Sequence, residues 1–366
     1  MTGKELVLGT LRYEDVERVP WVPFAGIHAG SLLGYTATEM LTDVDKLSEC
    51  LEEVHRLYQP DGQPVAFDLQ LEAEQLGCDL MWADDNPPSV CSHPWEAADF
   101  TPETLDTLEG ITNTGRIALV MEATRRLVAA HGEDTAIYGL FCGPLTLGSH
   151  MRGTKYFLDM KKNPEMIKKI TAYCVKEAKK MVDWYIEAGA DVIVPVDPVI
   201  SQVSPKHFAA YMTEAYTEIF DYIRSKGKMS AFFVCGNATR NLEKMCETHP
   251  DSISVDENIP MTVAKGIADQ YKVACGGNIP LTTTMLFGNQ MDNMKFVVDM
   301  VDSVDTKGLI ISPGCDMPYA VPAENGIAVA QAARNIDSTR ELVANYETVD
   351  EDIEVDLPDY DNLPRP

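Results

Sequence analysis

DVIVPVDPVISQVSPKHFAAYMTEAYTEIFDYIRSKGKMSAFFVCGN, residues 191–237, reads as strand, helix, strand. The two flanking runs are short, rich in Val and Phe, and apolar on both faces, as strands covered on both sides of a parallel sheet must be. Between them, Ser204 stands where a helix N-cap accepts backbone N–H groups, Pro205 occupies the first helical position and Gly227 marks the stop. A strand that returns parallel to its predecessor through a helix is a βαβ unit, and such crossovers are right-handed.

The same alternation extends in both directions. Strands are predicted from Pro20 (PWVPFA), Pro64 (PVAFDL), Asp134 (DTAIYGLFCG), Asp191, Met229 (MSAFFVC), Ser252 (SISVD), Lys272 (KVACGG) and Gly308 (GLIISPG). Further helices are predicted from Asn163, with Pro164 behind it, and from near Pro322. Eight strands joined by helices predict an α/β fold, a single (β/α)8 TIM barrel. An open doubly wound sheet lacks its main signature here, because no Gly-rich phosphate loop follows the first strand. The stretch from Cys78 to Gly132 adds length between the second and third strands and reads as an insertion over the barrel mouth. The barrel is expected over residues 1–345, followed by an acidic, proline-bearing extended or disordered tail over 346–366.

The chain has 366 residues, 45% of them apolar, and a formal charge of -27. That charge repels phosphate backbones and anionic lipid, which argues against nucleic acid and membrane partners. No apolar run approaches the roughly 18 residues of a membrane span. The N-terminus lacks the succession of a secretory signal, and nine cysteines, an odd number, argue against a disulfide framework. A cytoplasmic location is expected.

The predicted strand ends carry an unusual set of side chains. Cys235, Cys275 and Cys315 each close an apolar run, joined by Asp68, Cys142, Asp197, Asp256, Asn278 and Asp316. Thiolates converging at the C-terminal face of a barrel would make a soft site suited to zinc. Buried cysteine also serves simply as a small hydrophobe. His28, just past the first strand, is a candidate for proton transfer, with Asp197 and Asp256 as candidate positioning or proton-shuttling groups. His207 and Glu257 are further candidates, and Glu72 and Glu74 suit the start of a helix. Trp21, Phe24, Phe141, Phe233 and Tyr319 could sandwich a flat substrate, or pack the core.

RVPWVPF (18–24), FDLQLEAEQLGCDL (67–80), GPLTLGSHMRGTKYFLDMKKNPE (143–165), VDPVISQVSPKHF (196–208), FFVCGNATRNLEKM (232–245), GGNIP (276–280) and SPGCDMPYAVPAEN (312–325) resemble, in order, the blocks of the uroporphyrinogen decarboxylase superfamily. That resemblance implies a single (β/α)8 barrel. The decarboxylases carry arginine in the N-terminal block, and VPFAGIHAGS has none. The corrinoid (cobalamin)-dependent methyltransferase branch carries zinc on a His-x-Cys at the fifth strand and a Cys at the eighth. Cys235 and Cys315 match, but Phe233 stands where the histidine would be, and Cys275 is the expected replacement ligand. The resemblance thus implies a zinc-dependent methyltransferase working with a corrinoid protein and a small methylated substrate. Phe233 favours an aryl methyl ether donor, as in anaerobic O-demethylation. Methylcorrinoid-to-thiol or -tetrahydrofolate transfer, or a non-catalytic tetrapyrrole or corrinoid binder, are the alternatives. A homodimer is one assembly to expect.

Overall fold

The computed structural model describes residues 1–348. Nine strands occur among them: β1 (Gly62–Pro64), β2 (Leu80–Met81), β3 (Ser89–Val90), β4 (Ala136–Cys142), β5 (Val192–Val196), β6 (Met229–Val234), β7 (Ser252–Val255), β8 (Ala274–Ile279) and β9 (Leu309–Pro313). Seven form one parallel sheet in the order β1-β4-β5-β6-β7-β8-β9, and β2 pairs with β3 as a small antiparallel hairpin. Each step between consecutive sheet strands is spanned by helices, which cover the outside.

The expected first strand, from Pro20, survives as a single parallel bridge between Trp21 and Ile311. Ile311 N donates to Pro20 O at 2.9 Å, and Val22 N donates to Ile311 O at 2.9 Å. On the other side, Asp61 N donates to Trp21 O at 2.9 Å. The segment therefore hydrogen-bonds to β9 and to the residue before β1, and occupies the eighth place in the ring. It cannot lengthen into a full strand because Pro20 and Pro23 have no N–H to donate. Asp61 reinforces the seam: its carboxylate accepts from Trp21 N at 2.8 Å and from both Nη atoms of Arg18 at 2.6 and 2.7 Å.

The insertion is narrower than the sequence suggested. The hairpin β2–β3 and two 3-10 turns (Pro94–Glu96, Pro102–Thr107) are its additions, whereas the helix Gly115–His131 packs in the ordinary outer layer between the helices Val44–Tyr58 and Pro164–Ala188. The caps behave as read: Ser204 accepts from His207 N at 3.3 Å, and Gly227 takes a positive φ of 72°. The helix between them is divided at Met212 into Pro205–Tyr211 and Thr213–Ser225. The tail expected from residue 346 is tied to the barrel at its first residue, where Tyr346 Oη donates to Asp292 at 2.9 Å. Residues 349–366 lie outside the described residues. No helix among the described residues is long and apolar enough to cross a membrane.

Candidate functional site

The mouth of the barrel is built where β6 and β9 end. Cys235 follows β6 directly and Cys315 lies two residues past β9. The two are joined as a disulfide, with Cα atoms 5.9 Å apart and a sequence separation of 80. Their loops are held from several sides. Gly236, at φ 78°, donates its N–H to Asp256 Oδ2 at 2.7 Å. Gly314 N donates to Ile279 O at 3.0 Å, and a Cβ there would stand 2.8 Å from Glu257 N, so only glycine fits. Met317 N donates to Phe24 O at 2.9 Å.

Phe233 lies two residues before Cys235 and so shares its inward face. It heads an aromatic floor: its ring meets Phe24 at 4.7 Å and Phe67 at 5.4 Å, both edge to face. Phe24 also meets Tyr138 edge-on at 6.3 Å. Offset of this kind sets a positive ring edge on a negative face and fixes the rings against one another. Phe24 and Phe233 thus pack together on the inner side of the barrel. Phe141 does not. It alternates onto the same side of β4 as Gly139, whose Cα looks onto the Tyr185 ring of the outer helix layer.

Cys275 does not join the other two sulfurs. β8 begins at Ala274 and runs to Ile279, so Cys275 sits near the strand's beginning, at the opposite end of the barrel from the mouth. The strand continues through Gly276 and Gly277, where the sequence alone predicts its end. The Cys275 thiol touches Met261 Sδ at 3.7 Å, and burial pushes its pKa well up. It is core packing.

The predicted proton-transfer groups are engaged elsewhere. His28 is fully buried, with Nε2 2.6 Å from Tyr58 Oη and Nδ1 3.2 Å from Tyr319 O. These partners fit a neutral ring that donates from Nδ1 and accepts at Nε2. Tyr319 itself donates its hydroxyl to Tyr35 O at 2.9 Å. Asp256 accepts from Gly236 N and from Asn258 N at 2.9 Å, and so clamps the loop below Cys235. Asp197 is wholly buried against the helix Pro144–Arg152 (argued below). His207 stacks loosely on Tyr211, its backbone capped by Ser204.

His28 makes the acid limb of stability predictable. Burial pushes its pKa down to about 4, and that of His150 likewise. The unfolded chain takes up protons below the ordinary value of about 6.5 while the native chain refuses them until about 4. The stability contributed by these two rings is therefore fully present above pH 6.5 and is lost as pH drops toward 4, by about 3 kcal/mol for each ring, while Glu72, whose buried carboxyl is pushed up to about 8, acts in the opposite sense over the same range. Urea midpoints of the parent and of a His28 variant, measured from pH 7.5 down to 4.5, give the slope with and without this ring's share. His28→Gln should remove part of that slope, and an unchanged slope would show that the ring titrates freely.

At the rim, Arg116 has no signal in the sequence, whereas Glu72 and Asp316 are among the acids named there. Arg116, the second residue of the helix Gly115–His131, forks between Asp68 and Glu74 (2.8 Å to the latter) and lies over the Trp82 ring at 4.9 Å. Nothing in the sequence links position 116 to position 68. Glu72 is completely buried: Oε1 accepts from Cys142 N at 2.9 Å, Oε2 has no partner, and burial pushes the carboxyl up to about 8. Beside Cys315, burial raises the Asp316 carboxyl well above the usual range, and its Oδ1 has no hydrogen-bond partner.

Zinc asks for at least three protein ligands converging on one point. The mouth offers two sulfurs. Phe233 cannot ligate, Cys275 faces away, and the imidazole of His28 is spent on Tyr58 and Tyr319. Among the described residues no three His, Cys, Asp or Glu side chains come together as a metal site. The donor set therefore does not fit the expected zinc.

Comparison with known proteins gives a consistent picture. The chain is 27% identical over 346 residues to the methylcobamide:CoM methyltransferase MtbA of Methanosarcina acetivorans, covering 91% of this chain and 98% of the relative. It is 25% identical to the methylcobamide:CoM methyltransferase MtaA of Methanosarcina barkeri, covering 90% and 97%. Uroporphyrinogen decarboxylase of Synechococcus is 21% identical, covering 90% and 96%. In three dimensions it superposes on a methyltransferase from Methanosarcina mazei with a TM-score of 0.81 at 23% identity, covering 92% and 99%. The pattern of the uroporphyrinogen decarboxylase (URO-D) family matches residues 2–336, and the chain belongs to that family.

Proposed function

We propose that this chain is a corrinoid-dependent methyltransferase that moves a methyl group from a methylated corrinoid, presented by a partner protein, to a small thiol. The observation that carries the reading is the near end-to-end similarity to relatives named methylcobamide:CoM methyltransferase, together with a mouth that sets a sulfur pair beside an apolar aromatic floor. Decarboxylation of a polycarboxylate is less well served, since VPFAGIHAGS offers no arginine to hold carboxylates.

The corrinoid supplies an electrophilic methyl carbon; the thiolate forms the new C–S bond as the Co–C bond breaks, and that bonding pair stays on cobalt. The chain's own part is to receive the thiol in a place that excludes water and adds no opposing charge. Phe24, Phe67 and Phe233 supply the apolar floor. Burial raises the Asp316 carboxyl above the usual carboxylate range, which disfavours negative charge on the rim beside Cys315. A thiol with an ordinary pKa near 8.5 is already a few per cent thiolate at pH 7.

Demethylation of an aryl methyl ether uses the same mouth in reverse. It requires a phenoxide to leave, which calls for a Lewis acid or a proton at the ether oxygen. The relatives named methylcobamide:CoM methyltransferase support the thiol direction instead.

The test is to incubate the reduced chain with methylcobalamin and CoM, following loss of the methylcobalamin spectrum and formation of the methyl thioether. Formation of the methyl thioether with loss of the methylcobalamin spectrum is expected. Transfer to tetrahydrofolate alone would redirect the acceptor, and transfer to no acceptor, with methylcobalamin still bound, would point to a non-catalytic binder.

A further inference from the structure

Of the nine cysteines, two are partly exposed and joined across the mouth, and these are the pair on which the site is centred. Of the seven free ones, six are buried and Cys91 is exposed just past the hairpin β2–β3. The sheet order places β7 and β8 between β6 and β9. Three strand steps of about 4.8 Å separate the ends of β6 and β9 along the sheet, roughly 14 Å. Cα atoms only 5.9 Å apart therefore require both loops to lean inward over the opening. That spacing also falls at the commonest value for bridged cysteines.

The loops are pinned by bonds that do not involve sulfur: Gly236 N to Asp256, Gly314 N to Ile279 O, and Met317 N to Phe24 O. Reduction would leave those anchors in place, so the two thiols would stay neighbours and re-form the bridge readily. Disulfides in reducing compartments are, as a rule, transient, catalytic or redox-sensing.

We propose that Cys235 and Cys315 form a reversible thiol–disulfide couple that gates the mouth, open to methyl transfer as the dithiol and shut as the disulfide. The inference rests on the methyl-transfer reading above and adds its regulation. The reductant is the same class of small thiol that accepts the methyl group. Its thiolate attacks one sulfur, the Cys235–Cys315 bond breaks, and the released cysteine thiolate takes a proton. A second thiol then displaces the mixed disulfide. The net change is one protein disulfide and two RSH giving two protein thiols and RSSR, a two-electron reduction of the pair. The reverse step needs RSSR as oxidant. Thiol acceptor in excess thus keeps the site open, and its oxidation closes it.

The experiment uses the full chain equilibrated with reduced or oxidised glutathione, alkylated and weighed intact. Two more alkylations are expected in the reduced sample, mapping to the peptides of Cys235 and Cys315. Methylcobalamin binding, read by tryptophan quenching, should weaken at least tenfold in the oxidised form, and thioether formation should fall to the same extent and return on reduction. Equal alkylation in both samples overturns the couple. A two-thiol difference with unchanged binding and rate overturns the gate. A redox-dependent change in binding with no transfer to any thiol in either state sustains the gate and overturns the methyl-transfer reading instead.

Discussion

Replacing Asp197 by alanine is expected to lower stability by about 4 kcal/mol, because four donors lose one buried acceptor. The carboxylate ends β5 and faces the start of the helix Pro144–Arg152. Pro144 has no N–H, and the cap position is Gly143, which has no side chain to accept from the next two. Asp197 does so from the end of the neighbouring strand: Leu145 N donates at 2.9 Å, Thr146 N at 3.0 Å and Thr146 Oγ1 at 2.6 Å, and Tyr216 Oη donates as well. Gly143 is itself required, since a Cβ there would stand 2.5 Å from the Asp197 carboxylate. Burial pushes the Asp197 pKa up to about 6, so at neutral pH it is ionised and serves all four donors. Spread over 366 residues, the loss corresponds to a drop of roughly 5 °C in Tm. Asp197→Asn keeps one carbonyl oxygen and should lose about half as much. The kinetic outcome discriminates between roles. Folded Asp197→Asn that transfers methyl at near the parent rate makes the residue structural, whereas a hundredfold loss in a stable variant would restore it to catalysis.

The barrel was legible because its signals are local. Proline and glycine punctuation, N-caps and doubly buried apolar runs each act within a few residues, and all eight ring positions follow from them. The boundaries that slipped did so for equally local reasons. Pro20 and Pro23 deny the first segment its ladder, and the glycines Gly276 and Gly277 disguise the continuation of β8. That second error moved Cys275 from one end of the barrel to the other. The candidate site was harder to read, because what a polar residue does depends on which partners the fold brings to it. Asp197, Asp256 and His28 have the composition of catalytic groups, yet each is committed to holding the chain: a helix start, a loop, a tyrosine pair. Arg116 and Phe67 gave no signal of their own, and only the folded chain brings Arg116 to Asp68 or Phe67 to Phe233. Cys235 and Cys315, by contrast, lie together at the mouth because strand ends in a parallel barrel share one face.

Phe233→His is expected to turn a chain that holds well under one zinc per molecule into one that holds about one. The substituted side chain would share the inward face of β6 with Cys235, two residues on, and Cys235 Cα already lies 5.9 Å from that of Cys315. One imidazole and two thiolates would then give the three protein ligands that zinc requires, with a fourth position left for a substrate thiol. The substitution removes a ring from the Phe24–Phe67–Phe233 cluster, and without metal it should cost about 2–4 kcal/mol. Zinc bound by the native chain alone returns part of that by mass action. The variant's Tm should therefore rise with added zinc while the parent's stays put. Both proteins must be reduced first, because a sulfur held in the Cys235–Cys315 bond is not a thiolate. Elemental analysis after dialysis decides the matter, with Cys275→Ser in the same background expected to leave the metal content unchanged. One tightly held zinc in the parent, lost on Cys315→Ser, would mean that a third donor reaches the mouth in solution and that Phe233 does not bar the metal.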